Sequence, residues 1–200
     1  MTSILKVDTI QDTAGNNIIN ESSDTITIGA SGDTVNIVGT LQNNGSGLAS
    51  GITEADMFRL TANLSSSADP ITSNLERPDD ASYAKIGTGM SVSSGIYSFP
   101  TTGLYWVQVR SKGETNGSQS DLDIIGTLDN GSSFDVLSVG SGYGTSNDAT
   151  YIGGDAFFNV TNISTHKIKF KWSAAAGSLL FGNTDRNDTV FIFIRIGDSQ

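Results

Sequence analysis

The residues whose types could do chemistry are few. They are the single histidine, His166, and two acidic groups, Asp79-Asp80 and Asp185-Arg186-Asn187-Asp188. A hydrolytic triad needs a base beside a nucleophile and a third group to orient the base. His166 opens the alternating run Lys167-Ile168-Lys169-Phe170-Lys171, where no such partners are readable, so it is expected as an exposed strand-edge residue. The two acidic groups could supply oxygen ligands to calcium, but acids clustered in loops more often hydrogen-bond their own backbone. Glycoside hydrolysis needs two carboxyls facing each other across a cleft, and the acids here stand mostly among turn residues. The chain is therefore expected to be non-enzymatic and to carry no metal or other cofactor. Binding is the stronger reading. Tyr143, Asn147, Asp148, Tyr151, Asn183 and Asp185 are of types that stack on and hydrogen-bond sugars, and all stand in or beside loop signals.

The elements that must hold these loops are strands. Of 200 residues only 16% are charged and 36% hydrophobic, with 23 glycines and three prolines. That mix suits short strands and tight turns rather than helix bundles. A net charge of −10 with no basic stripe argues against nucleic acid. The absence of cysteine excludes disulfides, thiolate zinc sites and thiol catalysis, and fits folding in a cytoplasm. Met1–Asp8 lacks the pattern of a signal peptide, and no apolar stretch approaches a membrane span, so no membrane insertion is expected.

The first forty residues repeat weakly. Asp8-Thr9-Ile10, Asp24-Thr25-Ile26 and Asp33-Thr34-Val35 share one pattern, and within the last two copies Ile26 and Ile28, then Val35 and Ile37, alternate. Strands this short cannot bury a core alone; they must stack or wrap around identical chains. Gly29-Ala30-Ser31-Gly32-Asp33-Thr34-Val35 resembles one degenerate copy of a calcium-binding β-roll repeat, which needs several successive copies. Residues 42–51 read as a linker, and Ile52–Met57 could cap one helical turn. Beyond it, strands are expected near 57–64, 71–76, 83–92, 95–99, 103–112, 120–128, 133–139, 150–161, 166–173 and 189–197, which points to a sandwich or jelly roll.

A sandwich strand alternates apolar inward and polar outward, as residues 120–128 mostly do and 166–172 clearly do. Three other strands do not. Leu104 and Trp106 oppose Tyr105, Val107 and Val109; Phe157 opposes Phe158 and Val160; Ile192 and Ile194 oppose Phe191 and Phe193. Apolar patches of this size usually mark association. A subunit interface drawing on Tyr105, Trp106, Phe157, Phe191 and Phe193, or on their opposite-face neighbours, is expected; periodicity leaves open which set faces the core. Cover by the loops around 140–150 or by the N-terminal segment is the alternative.

The stretch Gly95-Ile96-Tyr97-Ser98-Phe99-Pro100-Thr101-Thr102-Gly103-Leu104-Tyr105-Trp106-Val107 resembles the signature of the complement globular-head and tumour-necrosis-factor jelly-roll superfamily. Tyr97, Gly103 and Tyr105 fill its fixed places, and Val190–Ile194 resembles its closing strand. Lys85 and Met90 stand near two further places, where the family expects an Asn or Asp and a large apolar residue, and Val107 and Val109 replace aromatics. The resemblance implies an all-β, ten-stranded jelly-roll sandwich that assembles as a homotrimer through its inner sheet. The opening ILKVDTIQDTAGNNIIN and the run Gly51–Thr61 resemble marine bacteriophage structural proteins, in which an anchor or β-structured shaft precedes a trimeric knob. The implied organisation is an anchor or interwoven shaft over 1–47, a linker over 48–56 and a knob over 57–200. The implied role is a virion tail or receptor-binding fibre, made in a host cytoplasm. It would attach to other virion proteins through 1–47 and contact a host surface glycan or protein. A capsid-surface fibre or decoration protein is the alternative, and a secreted carbohydrate-binding module the third.

Overall fold

Alternation decides the architecture, because a period of two puts every second side chain on one sheet face. The computed structural model describes residues 9–11, 13, 17–22, 25–28, 31–38, 42–43, 46–47, 51–144 and 149–200. The chain divides into two units, Met1–Leu48 and Ala49–Gln200, and no helix occurs among the described residues.

In the first unit β1 (Thr9–Gln11), β2 (Asn17–Ser22) and β3 (Thr25–Ile28) form an antiparallel meander, and β4 (Gln42–Asn43) pairs with β5 (Ser46–Gly47). Its register aligns Ile10 with Ile19 and Ile19 with Ile28, and all three are exposed. The second D-T-[I/V] copy of the pair behaves differently: residues 33–37 are not a strand, and Val35 and Ile37 are exposed. The β-roll candidate lies partly outside the described residues, at 29 and 30.

The second unit holds β6 (Ala55–Leu60), β7 (Leu75–Glu76), β8 (Ser91–Ser93), β9 (Ile96–Ser98), β10 (Gly103–Glu114), β11 (Ser120–Thr127), β12 (Asp135–Gly142), β13 (Ala149–Val160), β14 (Lys167–Ser173), β15 (Leu179–Leu180) and β16 (Thr189–Gly197). One sheet runs β13-β10-β16-β6-β7, with β15 also on β10; the other runs β12-β11-β14-β9-β8. All pairs are antiparallel. The faces between the sheets interdigitate around Tyr97. Its ring meets Phe58 and Phe170 edge-on at 5.2 and 5.5 Å, and Phe193 at 5.0 Å. Phe99 adds Tyr105 at 4.6 Å and Phe158 at 5.5 Å. Such pairs contribute about 0.5–1.5 kcal/mol each beyond their area burial.

Three expectations are corrected here. Ile52–Met57 forms no helical turn; Ala55 and Asp56 open β6. The carboxylate of Glu54 instead accepts the backbone N–H groups of Thr88 and Gly89, at 3.2 and 3.0 Å. The expected strand over 83–92 shrinks to Ser91–Ser93, and of residues 83–90 only Ile86 pairs with a strand, in a single antiparallel bridge to Ala55 of β6. The expected strand over 71–76 keeps only Leu75–Glu76. Leu179–Leu180 carries no alternation to read, and pairs because it continues the position beside β10 that β16 vacates after Ser111↔Thr189.

Candidate functional site

The larger sheet has its inner face on the core and presents an apolar row outward. Phe157, Trp106, Ile194 and Ala55 stand side by side on β13, β10, β16 and β6. Beside that row lie Asp155, Gln108, Ile192 and Met57. Phe157 is 70% exposed; Trp106 and Ile194 are half-buried. Tyr105, Phe191 and Phe193, expected at the interface, point the other way and are buried in the core of the single chain. They share the inward row of Val107, Val109 and Phe158, where the aromatic cluster gives them partners. Their outward neighbours Trp106, Ile192 and Ile194 have no counterpart sheet.

Part of this outer face is already covered. Residues 76–90 form a strap held to β6 by charge. Arg59 is fully buried, and its guanidinium donates to Glu76 (2.9 Å), Asp79 (2.6 Å) and Asp80 (3.1 Å). Asp56 accepts from both Arg77 Nε and Nη2, from Tyr83 Oη at 2.8 Å and from the Met90 N–H at 2.7 Å. Burial, then the bond to Asp56, pushes the Tyr83 phenol up to about 12. Tyr83, Ala84 and Ile86 face Met57, Ile192 and Ile194 around a cavity of about 170 Å³. The calcium candidate Asp79-Asp80 is thus engaged with a guanidinium, which already supplies the positive charge those carboxylates need.

A second apolar surface lies at the open edge between the sheets. Gly126, Leu128, Leu137 and Phe158 line a cleft of about 370 Å³, with Asp135, Asn159, Thr161 and His166 among its walls. Leu128, Val136 and Val139 are more than half exposed beside it. His166, expected to be exposed, is 8% exposed. Its Nε2 is 3.2 Å from the Thr161 hydroxyl, its Nδ1 is 3.0 Å from the Thr165 hydroxyl, and Phe158 packs on the ring. Burial, then the charge of Lys167, lowers its pKa. The lysines beyond it are less solvated than their alternation suggests. Lys169 pairs with Asp69 at 2.6 Å and lies 4.3 Å over the Phe134 ring, and Lys171 is 3.6 Å from Asp123.

Of the loop residues that sequence singled out, the four described ones lie at one end of the second unit. Tyr143 follows β12 and Tyr151 opens β13, at 72% and 82% exposed. Asn183 and Asp185 sit in the loop before β16, where the Asn183 N–H reaches the Leu60 carbonyl at 2.8 Å. Asn147 and Asp148 lie outside the described residues. Asp188 pairs with Arg186 at 3.0 Å, and the described residues contain no cluster of three or more His, Cys, Asp or Glu fit to hold a metal.

Solved structures share this fold. Murine APRIL at pH 5.0 superposes with a TM-score of 0.55 at 12% identity, over 72% of this chain and 98% of that one. The Eiger TNF of S. frugiperda gives 0.56 at 12% identity, over 73% and 94%. The fold is a TNF-like jelly roll. The globular domain of zebrafish complement 1qA gives 0.50 at 14% identity, over 73% and 99%. No family model and no curated protein matches the sequence. The TNF-like fold explains why the two-faced strands β10, β13 and β16 are neighbours: all three belong to the sheet with the apolar outer face.

Proposed function

We propose that the chain is a non-enzymatic, homotrimeric virion fibre protein whose TNF-like unit contacts a host surface. The observation that carries the reading is the outward row of Phe157, Trp106 and Ile194 on the sheet whose other face packs the core. Leaving a large apolar side chain in water forgoes about 1.5–3 kcal/mol. The apolar row on the sheet and the apolar edge around Leu128, Leu137 and Val139 are different surfaces. A contact between them is head-to-tail, and such contacts form a ring when the rotation between neighbours closes. The number three follows the resemblance to the complement-head and TNF superfamily. Exposed Ile10, Ile19 and Ile28 in the first unit fit a shaft in which identical chains supply each other's cover. The fibre role rests on the likeness of the N-terminal sequence to phage structural proteins. His166 adds no catalytic set, since both ring nitrogens are engaged by threonine hydroxyls.

Light scattering on the purified full chain tests the assembly. A trimer mass is expected, falling to the monomer in Trp106→Asp and Phe157→Asp with the β-sheet circular dichroism retained. A monomeric parent chain sinks the proposal. Labelled antibody on intact particles tests the role: labelling of fibres with blocked adsorption supports it, and labelling spread over the capsid transfers the chain to the decoration reading.

A further inference from the structure

At the end of the larger sheet away from Ala55, where β10 ends and β13 and β16 begin, lies a polar pocket of about 270 Å³. Asn63, Lys112, Phe181, Asn183, Arg186 and Asp188 line it. Backbone pairing fixes its walls. The Lys112 N–H donates to the Asp188 carbonyl, and the Lys112 carbonyl accepts from the Phe181 N–H, both at 2.9 Å. The Thr189 hydroxyl donates to the Phe181 carbonyl at 2.7 Å. A Cβ on Gly182 would stand 2.4 Å from the Ala62 carbonyl oxygen, so only glycine lets these two walls meet.

The hydrogen-bonding character of the pocket is one-sided. Asn63 Oδ1 accepts the Gly182 N–H at 3.0 Å, and Asn183 Oδ1 accepts the Asp185 N–H at 2.8 Å. Each amide oxygen already accepts one backbone N–H, so the group each asparagine has wholly unengaged among the described residues is its NH₂. Asp188 is the one acid in the lining, and Nε of Arg186 is shared between its two oxygens, at 3.1 and 3.0 Å. Among the described residues the terminal nitrogens of Arg186 have no partner. Among the described residues no carboxylate lies within ion-pair distance of Lys112, whose ammonium sits 5.5 Å over the Phe181 ring. Arg110, two residues back on the same face of β10, is exposed and adds a third cation. Tyr151, 82% exposed, is the direct cross-strand partner of Lys112. In a chain of net charge −10 this donor-rich corner is a local reversal of sign.

We propose that this pocket binds an anionic sugar. Lys112 and the free edge of Arg186 hold its carboxylate or sulfate ester, the geometry for which a guanidinium is suited. The amide NH₂ groups of Asn63 and Asn183 meet its hydroxyls, and Tyr151 offers a flat apolar surface to its ring. The volume exceeds what a lone inorganic anion fills, and the amides and the aromatic plane recognise groups such an anion lacks. The walls are held before a ligand arrives, which reduces the ordering cost of binding. The inference rests on the host-contact reading only for its biological purpose; the binding itself belongs to the pocket of one chain.

The test titrates the full chain with three tetrasaccharides: a galacturonate tetramer, a sulfated galactose tetramer and a neutral galactose tetramer, each followed by calorimetry. One or both anionic tetramers are expected to bind, and the neutral one about tenfold or more weaker, the difference a charge-assisted hydrogen bond makes. Which anionic tetramer binds identifies carboxylate or sulfate as the recognised group. Arg186→Gln and Lys112→Met are each expected to weaken anionic binding about tenfold, and added salt to weaken it further. The Arg186 side chain is largely exposed, so Arg186→Gln retains the fold even if Lys112→Met does not. Equal binding of all three sugars, no binding at millimolar concentration, or full binding by Arg186→Gln overturns the inference. None of those outcomes changes the oligomer mass, so the assembly proposal stands or falls separately.

Discussion

At the residue scale, two side chains show how charge and burial are reconciled in this fold. Arg59 is buried because three carboxylates surround it, and removing such a partner from a buried ion pair is costly. His166 is buried with neutral partners only. Folding lowers its pKa, so the folded state favours the neutral ring. The sign follows: the contribution is fully present above the unfolded value near 6.5 and is lost as pH falls through the folded value. Lys167, beside it, and Asp135, across the cleft, are the charged neighbours. The thermal midpoint is expected to fall between pH 7.5 and 5.5, and His166→Gln to flatten that decline. An unchanged slope in the variant counts against the burial account. Sequence placed His166 at a strand start but not inside, because burial comes from Thr161 and Phe158 across a turn.

At the element scale, the sandwich is nearly closed at one end and open at the other. Strands β12 and β13 lie at the edges of different sheets, yet a Cβ on Gly140 would stand 2.4 Å from the Gly153 carbonyl oxygen. A few residues along, at Leu137 and Phe158, the same edges part into the apolar cleft. Gly140→Val is expected to wedge the closed end apart and to cost about 1–3 kcal/mol, the range for overpacking. A urea midpoint equal to that of the parent chain refutes the close-approach argument. The strap over β6 works in the opposite sense. It covers Met57 and Ile192 and leaves Phe157 exposed and Trp106 half-buried, which limits a partner chain to the β10–β13 side.

At the scale of the whole molecule, the buried hydrophobic core lies within residues 58–193, inside the second unit. A fragment spanning 49–200 is therefore expected to fold alone, with a cooperative thermal transition and β-sheet circular dichroism. A fragment without a cooperative transition shows that the first unit is needed for the core. Its mass by light scattering also separates the two candidate contacts. A trimeric fragment places assembly in the jelly roll, and a monomeric one places it in the isoleucine-lined meander. The net charge of −10 makes identical chains repel, so association is expected to strengthen with salt, opposite to the anionic-sugar titration.

The sequence by itself determined the class of structure and most of its strands. Alternation over 103–112, 150–161, 166–173 and 189–197 is a local property, and β10, β13, β14 and β16 lie there. It also marked the two-faced strands, because apolar residues on both faces are visible without knowing what covers them. Only the tertiary structure decided which face was which. Tyr105, Phe191 and Phe193 turned inward, and Trp106 and Phe157 outward, since a period of two is symmetric under exchange of the faces. The strap was hidden for a related reason: Glu54, Asp56 and Arg59 bind residues 76–90, partners that no local pattern links to them. The donor-rich pocket was hidden most completely. Asn183 was legible as a loop amide, but Asn63, Lys112 and Arg186 join it only where the segment 179–188 passes between β10 and residues 62–64.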